Sequence, residues 1–267
     1  MVSPRSFERS YSAIGDGGSV AFYASTSGDG GSFTSVGGTL HDIVFENDPR
    51  PGGGTLGQMD NPVISGGFVS FRSSGDGLYR APSDGSGPLS VIADVFTLVV
   101  DENGDPLGGG ETFESFGEHG RSGTFAVFLA DRPGGITGLY RDDAGSLRLL
   151  FEEGSPSPLA GGGLISGIYE PPVRGGSYTV TIRSDSGNSG IVGDFGSGLE
   201  VLVDENVASP SGLGNFTSFD ESSIDGNRVV FQARTAAGFG VYLLDHSTDS
   251  FTAIADSTIT APGYGVG

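Results

Sequence analysis

One stretch of the chain, residues 215–256, contains four short apolar or alternating runs that are separated by turn-forming residues. Runs of this length with turns between them predict a four-stranded antiparallel sheet. The four runs are Phe216 to Ile224, Arg228 to Ala233, Gly240 to Asp245, and Phe251 to Asp256. Glycine, asparagine and aspartate fill the intervening segments, where they supply the positive φ angles or side-chain hydrogen bonds that tight turns need. The stretch therefore predicts one complete antiparallel meander.

The rest of the chain repeats this pattern in four looser copies. The large apolar residue of the second run, hereafter the marker, recurs every 49 to 57 residues. The markers are Phe22, Phe71, Phe128, Val180 and Phe231. They divide the chain into five repeats, approximately 6–54, 55–110, 111–163, 164–213 and 214–267. Four-stranded repeats of about fifty residues are typical of propeller blades.

The repeats predict an all-β fold in which residues 1–267 form a single domain. We expect a five-bladed β-propeller with four antiparallel strands per blade. The 49 glycines fit a turn-dense chain without long helices. The partial repeats at the two ends add up to one blade, so Pro262 to Gly267 are expected to close the ring against the first strand near Phe7. A six-bladed ring that lacks a blade and a β-solenoid are the alternatives.

The sequence also predicts the less regular strands of the first two repeats and the features that the repeats share. In the second repeat, either Leu89 to Asp94 or Phe96 to Asp101 fits the fourth strand, and the third strand of the first repeat is expected at Ser32 to Val36. A tyrosine recurs in the third run, where we expect it in the core, at Tyr79, Tyr140 and Tyr242. An acidic residue followed by proline and glycines ends each repeat, which predicts a long exposed crossing to the next blade.

The charge of the chain limits its partners. Its 13 basic residues are all arginine and face 33 acidic residues, which gives a net charge of −20. This balance argues against nucleic acid and anionic membranes as partners, and it fits either a solubility role or a cationic surface partner. No apolar run reaches the roughly 18 residues of a membrane span, and Met1 to Arg5 lack the apolar core of a signal peptide. The sequence has no cysteine, so disulfides say nothing about compartment.

Two resemblances bear on the repeats. The passage FTSFDESSIDGNRVVFQA resembles the first-to-second strand passage of Tol-type periplasmic propeller domains. Together with GVYLL and FTAIADSTITAPGYG, it also resembles an uncharacterised family of bacterial exported repeat proteins, often associated with a PEP-CTERM type sorting signal. Both resemblances imply a propeller-like extracytoplasmic protein that is secreted or exposed at the cell surface, and neither implies a known activity.

The segment from Asp101 to Glu111 is the strongest candidate metal site. Asp101, Asn103 and Asp105 present oxygen donors at alternating positions, and Glu111 follows as a later carboxylate. Ca²⁺ prefers six to eight hard oxygen ligands on a backbone that wraps around it, so these four residues predict a calcium loop. Pro106 stands where such loops have glycine, and a polar crossing between blades is the simpler alternative.

The first strand of each repeat holds the candidate binding residues, because first strands line the central channel of a propeller. Tyr11, Asp60, Tyr169 and Asp220 occupy one register and are predicted to contact a ligand there, with Gly117 at the fifth position. Propeller enzymes that hydrolyse sugars place three carboxylates in that channel. Only Asp60 and Asp220 share the register here, and solvent-facing polar residues at a sheet end are the structural alternative.

These observations favour a non-enzymatic extracytoplasmic module that binds a polysaccharide or a cationic surface partner, with calcium as its candidate cofactor. The alternative is a hydrolase or lyase that acts on polysaccharide through Asp60, Asp220 and a third carboxylate. The enzyme requires Asp60, Asp220 and a third carboxyl group to lie within roughly 5 to 9 Å of one another in an open pocket, and carboxyl groups that are splayed into solvent or more distant would favour the binding module.

Overall fold

A computed structural model describes residues 9–25 and 30–259. Every regular element in this part of the chain is a β-strand, and the strands form five antiparallel sheets. The prediction of an all-β fold is confirmed. The sheets belong to two compact units, Met1–Phe151 and Glu152–Gly267. No helix that is long and apolar enough to cross a bilayer occurs among the described residues.

The first unit contains three four-stranded sheets, and in each the strands follow one another in chain order. Sheet 1 consists of β1 (Arg9–Asp16), β2 (Ser19–Ser25), β3 (Gly30–Val36) and β4 (Thr39–Phe45). Sheet 2 consists of β5 (Met59–Ser65), β6 (Phe68–Ser73), β7 (Gly77–Pro82) and β8 (Ser90–Asp94). Sheet 3 consists of β9 (Ser115–Ser122), β10 (Phe125–Arg132), β11 (Ile136–Asp143) and β12 (Ser146–Glu152).

The second unit contains two sheets of the same design. Sheet 4 consists of β13 (Ile165–Ile168), β14 (Val173–Arg174), β15 (Ser177–Ser184), β16 (Ser189–Asp194) and β17 (Leu199–Asp204), and both β13 and β14 pair with β15. Sheet 5 consists of β18 (Phe216–Asp225), β19 (Arg228–Thr235), β20 (Gly238–Asp245) and β21 (Ser250–Ala255). Sheet 4 is thus a four-stranded meander whose first strand is interrupted.

The strand registers confirm the repeat markers. Each marker lies on the second strand of its sheet and pairs with one large apolar residue of the third strand. The pairs are Phe22 with Phe33, Phe71 with Tyr79, Phe128 with Tyr140, Val180 with Val192, and Phe231 with Tyr242. The three tyrosines are fully buried, as predicted. The fourth strand of the second repeat is β8, so the first of its two candidate segments is correct.

The cores of sheets 3 and 5 repeat one set of aromatic side chains. In sheet 3, the rings of Phe113, Phe116, Phe128 and Tyr140 contact one another, and Phe113 meets Tyr140 edge to face at 4.8 Å between ring centroids. Sheet 5 repeats the arrangement with Phe216, Phe219, Phe231 and Tyr242. Edge-to-face contacts of this kind stabilise a core beyond the apolar area that they bury.

The crossings that follow the sheets are more compact than the predicted exposed connections. Four of them fold back on themselves through one bridging residue pair. These pairs are Pro49 with Thr55, Val100 with Pro106, Pro156 with Leu164, and Ala208 with Asn215. Their proline and glycine residues serve tight reversals rather than an extended path. The predicted closure by Pro262 to Gly267 near Phe7 lies outside the described residues, and the single domain stays a prediction.

An aspartate at the end of a fourth strand holds these crossings in place. Asp204 accepts the backbone N–H of Asn206 at 2.9 Å, which starts its own crossing, and its second oxygen accepts the N–H of Ala160 in the preceding crossing at 3.2 Å. Asp256 likewise accepts the N–H of Thr258, in its own crossing, and the hydroxyl of Ser211, in the preceding crossing. Each carboxylate therefore links two consecutive crossings of the second unit.

Candidate functional site

The first strand of every sheet breaks its ladder at the same place. In sheets 1, 2, 3 and 5 the pairing with the second strand skips one residue within one position of the marker, and in sheet 4 it lapses opposite residues 179–181, which include the marker. The interruptions lie between Tyr11 and Ile14, Asp60 and Val63, Phe116 and His119, Ile168 and Val173, and Phe219 and Ser222. Such β-bulges re-aim side chains and are over-represented next to functional sites. The predicted register residues Tyr11, Asp60, Gly117, Tyr169 and Asp220 all lie at or beside these bulges.

In the first unit, the bulges of sheets 2 and 3 carry a cluster of polar side chains. The guanidinium of Arg72, on β6, binds both oxygens of Asp60, with Nε 2.8 Å from Oδ1 and Nη2 on Oδ2. Its Nη1 donates to the backbone oxygen of Phe116 in sheet 3 at 3.0 Å. A guanidinium that binds a carboxylate through two parallel bonds fixes its orientation. Arg72 therefore holds Asp60 in one position and ties sheet 2 to sheet 3.

Glu118, at the bulge of sheet 3, completes the cluster. Its Oε2 accepts a hydrogen bond from the side-chain amide of Asn61, which lies at the bulge of sheet 2.

 The φ of Asn61 is 47°, in the left-handed region that asparagine adopts more readily than most residues. Burial raises the pKa of Glu118, and the nearby Asp60 adds to the rise while Arg72 opposes it. Asp60 and Glu118 are thus two carboxyl groups near one guanidinium.

Beneath this cluster, a hydrogen bond between neighbouring sheets recurs in both units. The hydroxyl of Ser70, which precedes a marker, lies 3.1 Å from Nε2 of His119, the first residue after the next bulge. Thr179 and Ser222 occupy the same two positions in sheets 4 and 5, with their hydroxyl oxygens also 3.1 Å apart. His119 is buried, and burial lowers its pKa to about 4. At neutral pH its imidazole is uncharged.

The second unit carries the other two register residues with described side chains. The backbone oxygen of Asp220 accepts the hydroxyl of Thr181 at 2.8 Å, and its carboxylate is exposed. Tyr169 is 44% exposed, and the guanidinium carbon of Arg183 lies 5.4 Å from its ring centroid. Asp60 and Asp220 therefore occupy equivalent positions in two different units. Tyr11 pairs with Tyr23 through its backbone, and its side chain lies outside the described ones.

The predicted calcium loop has a compact geometry of its own. Oδ1 of Asp101 accepts the backbone N–H groups of Asn103 at 2.8 Å and Asp105 at 3.0 Å, and these bonds lower the pKa of Asp101. Glu111 faces Arg132, with 3.7 Å between Oε2 and Nη1. Among the described residues, no group of three or more histidine, aspartate or glutamate side chains is arranged to hold a metal. Calcium binding by this loop stays a prediction, tested by thermal unfolding with and without excess calcium.

Comparison with known proteins shows likeness of fold only. No protein-family model matches the sequence, and no curated protein matches it. An oligogalacturonate lyase in complex with manganese is 12% identical, with a TM-score of 0.51 over 90% of this chain and 62% of that chain. The β-propeller domain of the Trilobed protease from Pyrococcus furiosus is 9% identical, with a TM-score of 0.49 over 94% of this chain and 85% of that domain. A putative TolB from Agrobacterium tumefaciens is 19% identical, with a TM-score of 0.45 over 82% and 66%.

The solved structures similar to this chain thus include a β-propeller domain and a putative TolB. The resemblance to the exported repeat family has no matching family model and stays a prediction. Sequence analysis found Asp60 and missed the partners around it. Glu118 lies one residue out of the predicted register, next to Gly117, and at the bulge of β9 it contacts Asn61. Arg72 directly follows the marker Phe71, and this position in the repeat is the sequence signal that could have indicated it as a site residue.

Proposed function

We propose that the protein is a non-enzymatic extracytoplasmic binding module whose five sheets are the blades of a propeller, and that it binds polysaccharide at the bulges of its first strands. The observation that carries the proposal is the cluster of Asp60, Asn61, Arg72 and Glu118. Its members come from adjacent sheets, are partly exposed, and are already oriented by one another.

The chemistry of the cluster supports binding rather than attack. Both oxygens of Asp60 accept bonds from Arg72, so this carboxylate is held as a fixed acceptor and not as a free nucleophile. Carboxylate oxygens accept hydrogen bonds from sugar hydroxyls, and the Asn61 amide both donates and accepts. Groups that are fixed before the ligand arrives lose less conformational freedom on binding. A polyhydroxylated ligand fits this set of groups.

The alternative is a hydrolase or lyase that acts on polysaccharide through the first-strand carboxylates. One observation favours it: the pKa of Glu118 is raised by burial and by Asp60, as in sites where one carboxyl group donates a proton and its neighbour stays ionised. In this alternative Glu118 is the acid, and Asp60 and Asp220 are the candidates for the remaining roles.

One experiment separates the two functions. The protein is passed over a panel of immobilised polysaccharides, and the same mixtures are assayed for new reducing ends and unsaturated products. We expect retention on at least one polysaccharide without products. Asn61→Ala and Glu118→Gln should weaken retention about tenfold, which corresponds to the loss of about one hydrogen bond to a charged or oriented group. Glu102→Gln changes an exposed carboxylate of the crossing after sheet 2 and should bind as the wild type does.

The outcomes are distinct. Products that disappear in Glu118→Gln would establish the enzyme. Equal retention of the wild type and both cluster variants would reject the cluster as the binding site. In a third outcome, the protein is retained only on a cationic matrix, and retention falls steeply with salt. This result would show that the acidic surface binds a cationic partner instead.

A further inference from the structure

A second polar cluster lies deeper between sheets 2 and 3, away from the site described above. Arg121, on β9, is 2% exposed, and Asp142, on β11, is 1% exposed. Both pair with Ala126 on β10, so the three residues form one row across sheet 3. The row lies on the face of sheet 3 that meets sheet 2, because the guanidinium carbon of Arg121 lies 5.5 Å from the ring centroid of Phe68.

The polar atoms of this cluster are incompletely paired. Nε, Nη1 and Nη2 of Arg121 are buried and have no hydrogen-bond partner among the described residues. Oδ1 of Asp142 accepts the backbone N–H of Gly145 at 2.8 Å, whereas its buried Oδ2 has no partner in the same part of the chain. A buried charged group without hydrogen bonds is strongly unfavourable, and a bound ion or water is the usual explanation when one occurs in a native protein.

The charges in the cluster do not balance. Arg80, on β7 of sheet 2, donates to the hydroxyl of Ser90 and lies close enough to Arg121 that the two guanidinium groups repel each other. Burial and this repulsion lower the pKa of Arg121 to about 10, so it remains protonated at neutral pH. Two arginines and one carboxylate leave one positive charge. His119 is neutral here, Asp60 pairs with Arg72, and the neighbouring Asp143 pairs with Arg141, so among the described residues these groups leave the positive charge uncompensated.

We propose that a monovalent anion of halide size binds between the guanidinium groups of Arg121 and Arg80. One such ion accepts the free N–H groups of Arg121, reduces the repulsion between the two arginines and brings the net charge of the cluster to zero. A water molecule would satisfy the hydrogen bonds of Arg121 but would leave the net positive charge of the cluster uncompensated. The burial of Arg121 and Asp142 favours a compact ion over a phosphate or a sugar acid. The proposal is independent of the proposed function.

The test uses the whole chain in sodium gluconate buffer at fixed ionic strength. Gluconate is replaced stepwise by chloride, by bromide or by sulfate, and thermal unfolding is followed by circular dichroism. We expect a saturable rise in Tm of several degrees with chloride and bromide, and none with sulfate. A ligand that binds only the folded state stabilises it in this concentration-dependent way. A Tm that is the same in gluconate and in halide would overturn the proposal.

Two variants and one direct observation complete the test. Arg121→Met keeps the length of the side chain and removes its donors, so the halide dependence should vanish. Arg148→Met changes an exposed arginine on β12 and should keep the dependence. Should Arg121→Met fail to fold, crystals of the wild type grown in bromide decide the question without a variant. An anomalous peak between Arg121 and Arg80 supports the ion, and a site with water and no anomalous signal refutes it.

Discussion

Replacing Gly240 by alanine should destabilise the protein through a clash with one tyrosine. The new Cβ would lie 2.6 Å from the hydroxyl oxygen of Tyr242, 2.7 Å from Cζ and 2.8 Å from Cε2. Tyr242 is fully buried, and its ring is held edge to face against Phe216 at 4.9 Å. Because the ring has no room to move aside, we expect Gly240→Ala to lower the free energy of unfolding by about 2 kcal/mol, within the range for overpacked cores.

The effect of Gly240→Ala on the free energy of unfolding should change sign when the ring of Tyr242 is removed. Sheet 4 has Val192 at the position of Tyr242, so Tyr242→Val is a replacement that this architecture already contains. In that background the alanine meets no ring, and Gly→Ala should stabilise the strand by about 0.5–1 kcal/mol because it restricts the unfolded chain. The coupling between positions 240 and 242 is then about 3 kcal/mol by this double-mutant cycle.

Chemical denaturation followed by circular dichroism measures these differences, since the chain has no tryptophan to report on unfolding. Gly108→Ala is the matched control, because a Cβ there has nothing within 4 Å. Gly138 and Tyr140 form the same contact in the first unit, at 2.7 Å to Cε2, and should repeat the result. An equal cost of the alanine in both backgrounds would show that the tyrosine is not the cause.

Three further predictions concern charged groups. The pKa of His119 is about 4 in the folded protein, against an ordinary histidine value of 6.5 in the unfolded chain. The unfolded chain therefore binds more protons between these values, and stability should fall by up to about 3 kcal/mol as the pH drops through them. His119→Gln, measured by denaturation at several pH values, should flatten that dependence. Asp204→Ala should cost about 1–2 kcal/mol and increase proteolysis near Ala160, which loses its acceptor. If the carboxylate of Asp101 only closes the turn, Asp101→Ala should lower the Tm equally with and without calcium. If the loop binds calcium, the same variant should abolish the rise in Tm that calcium causes in the wild type.

The strand pattern was predictable because each repeat buries the same apolar positions. Phe71, Phe128 and Phe231 gave the period, and Val180 could be placed between them although it is not aromatic. The choice between two fourth strands in the second repeat was not decidable from the sequence, because both segments have apolar alternation and only one of them can pair with β7.

The candidate site was harder to predict, for a physical reason. A bulge shifts the register by one residue without any unusual composition, so strand alternation alone does not place Glu118 beside Asn61. Arg121 and Asp142 were not singled out, because a charged residue in an alternating strand normally faces solvent. Their burial depends on the packing of sheet 2 against sheet 3, which no local pattern encodes.

The bulges also have a consequence for how the protein can change over evolutionary time. Residues at a bulge do not take part in the regular ladder, so they need not donate a backbone N–H. Proline occupies this region in two sheets, as Pro62 in sheet 2 and as Pro171 and Pro172 in sheet 4. Substitutions there leave the pairing of the strands intact, and specificity can diverge at these positions while the sheets that carry them stay the same.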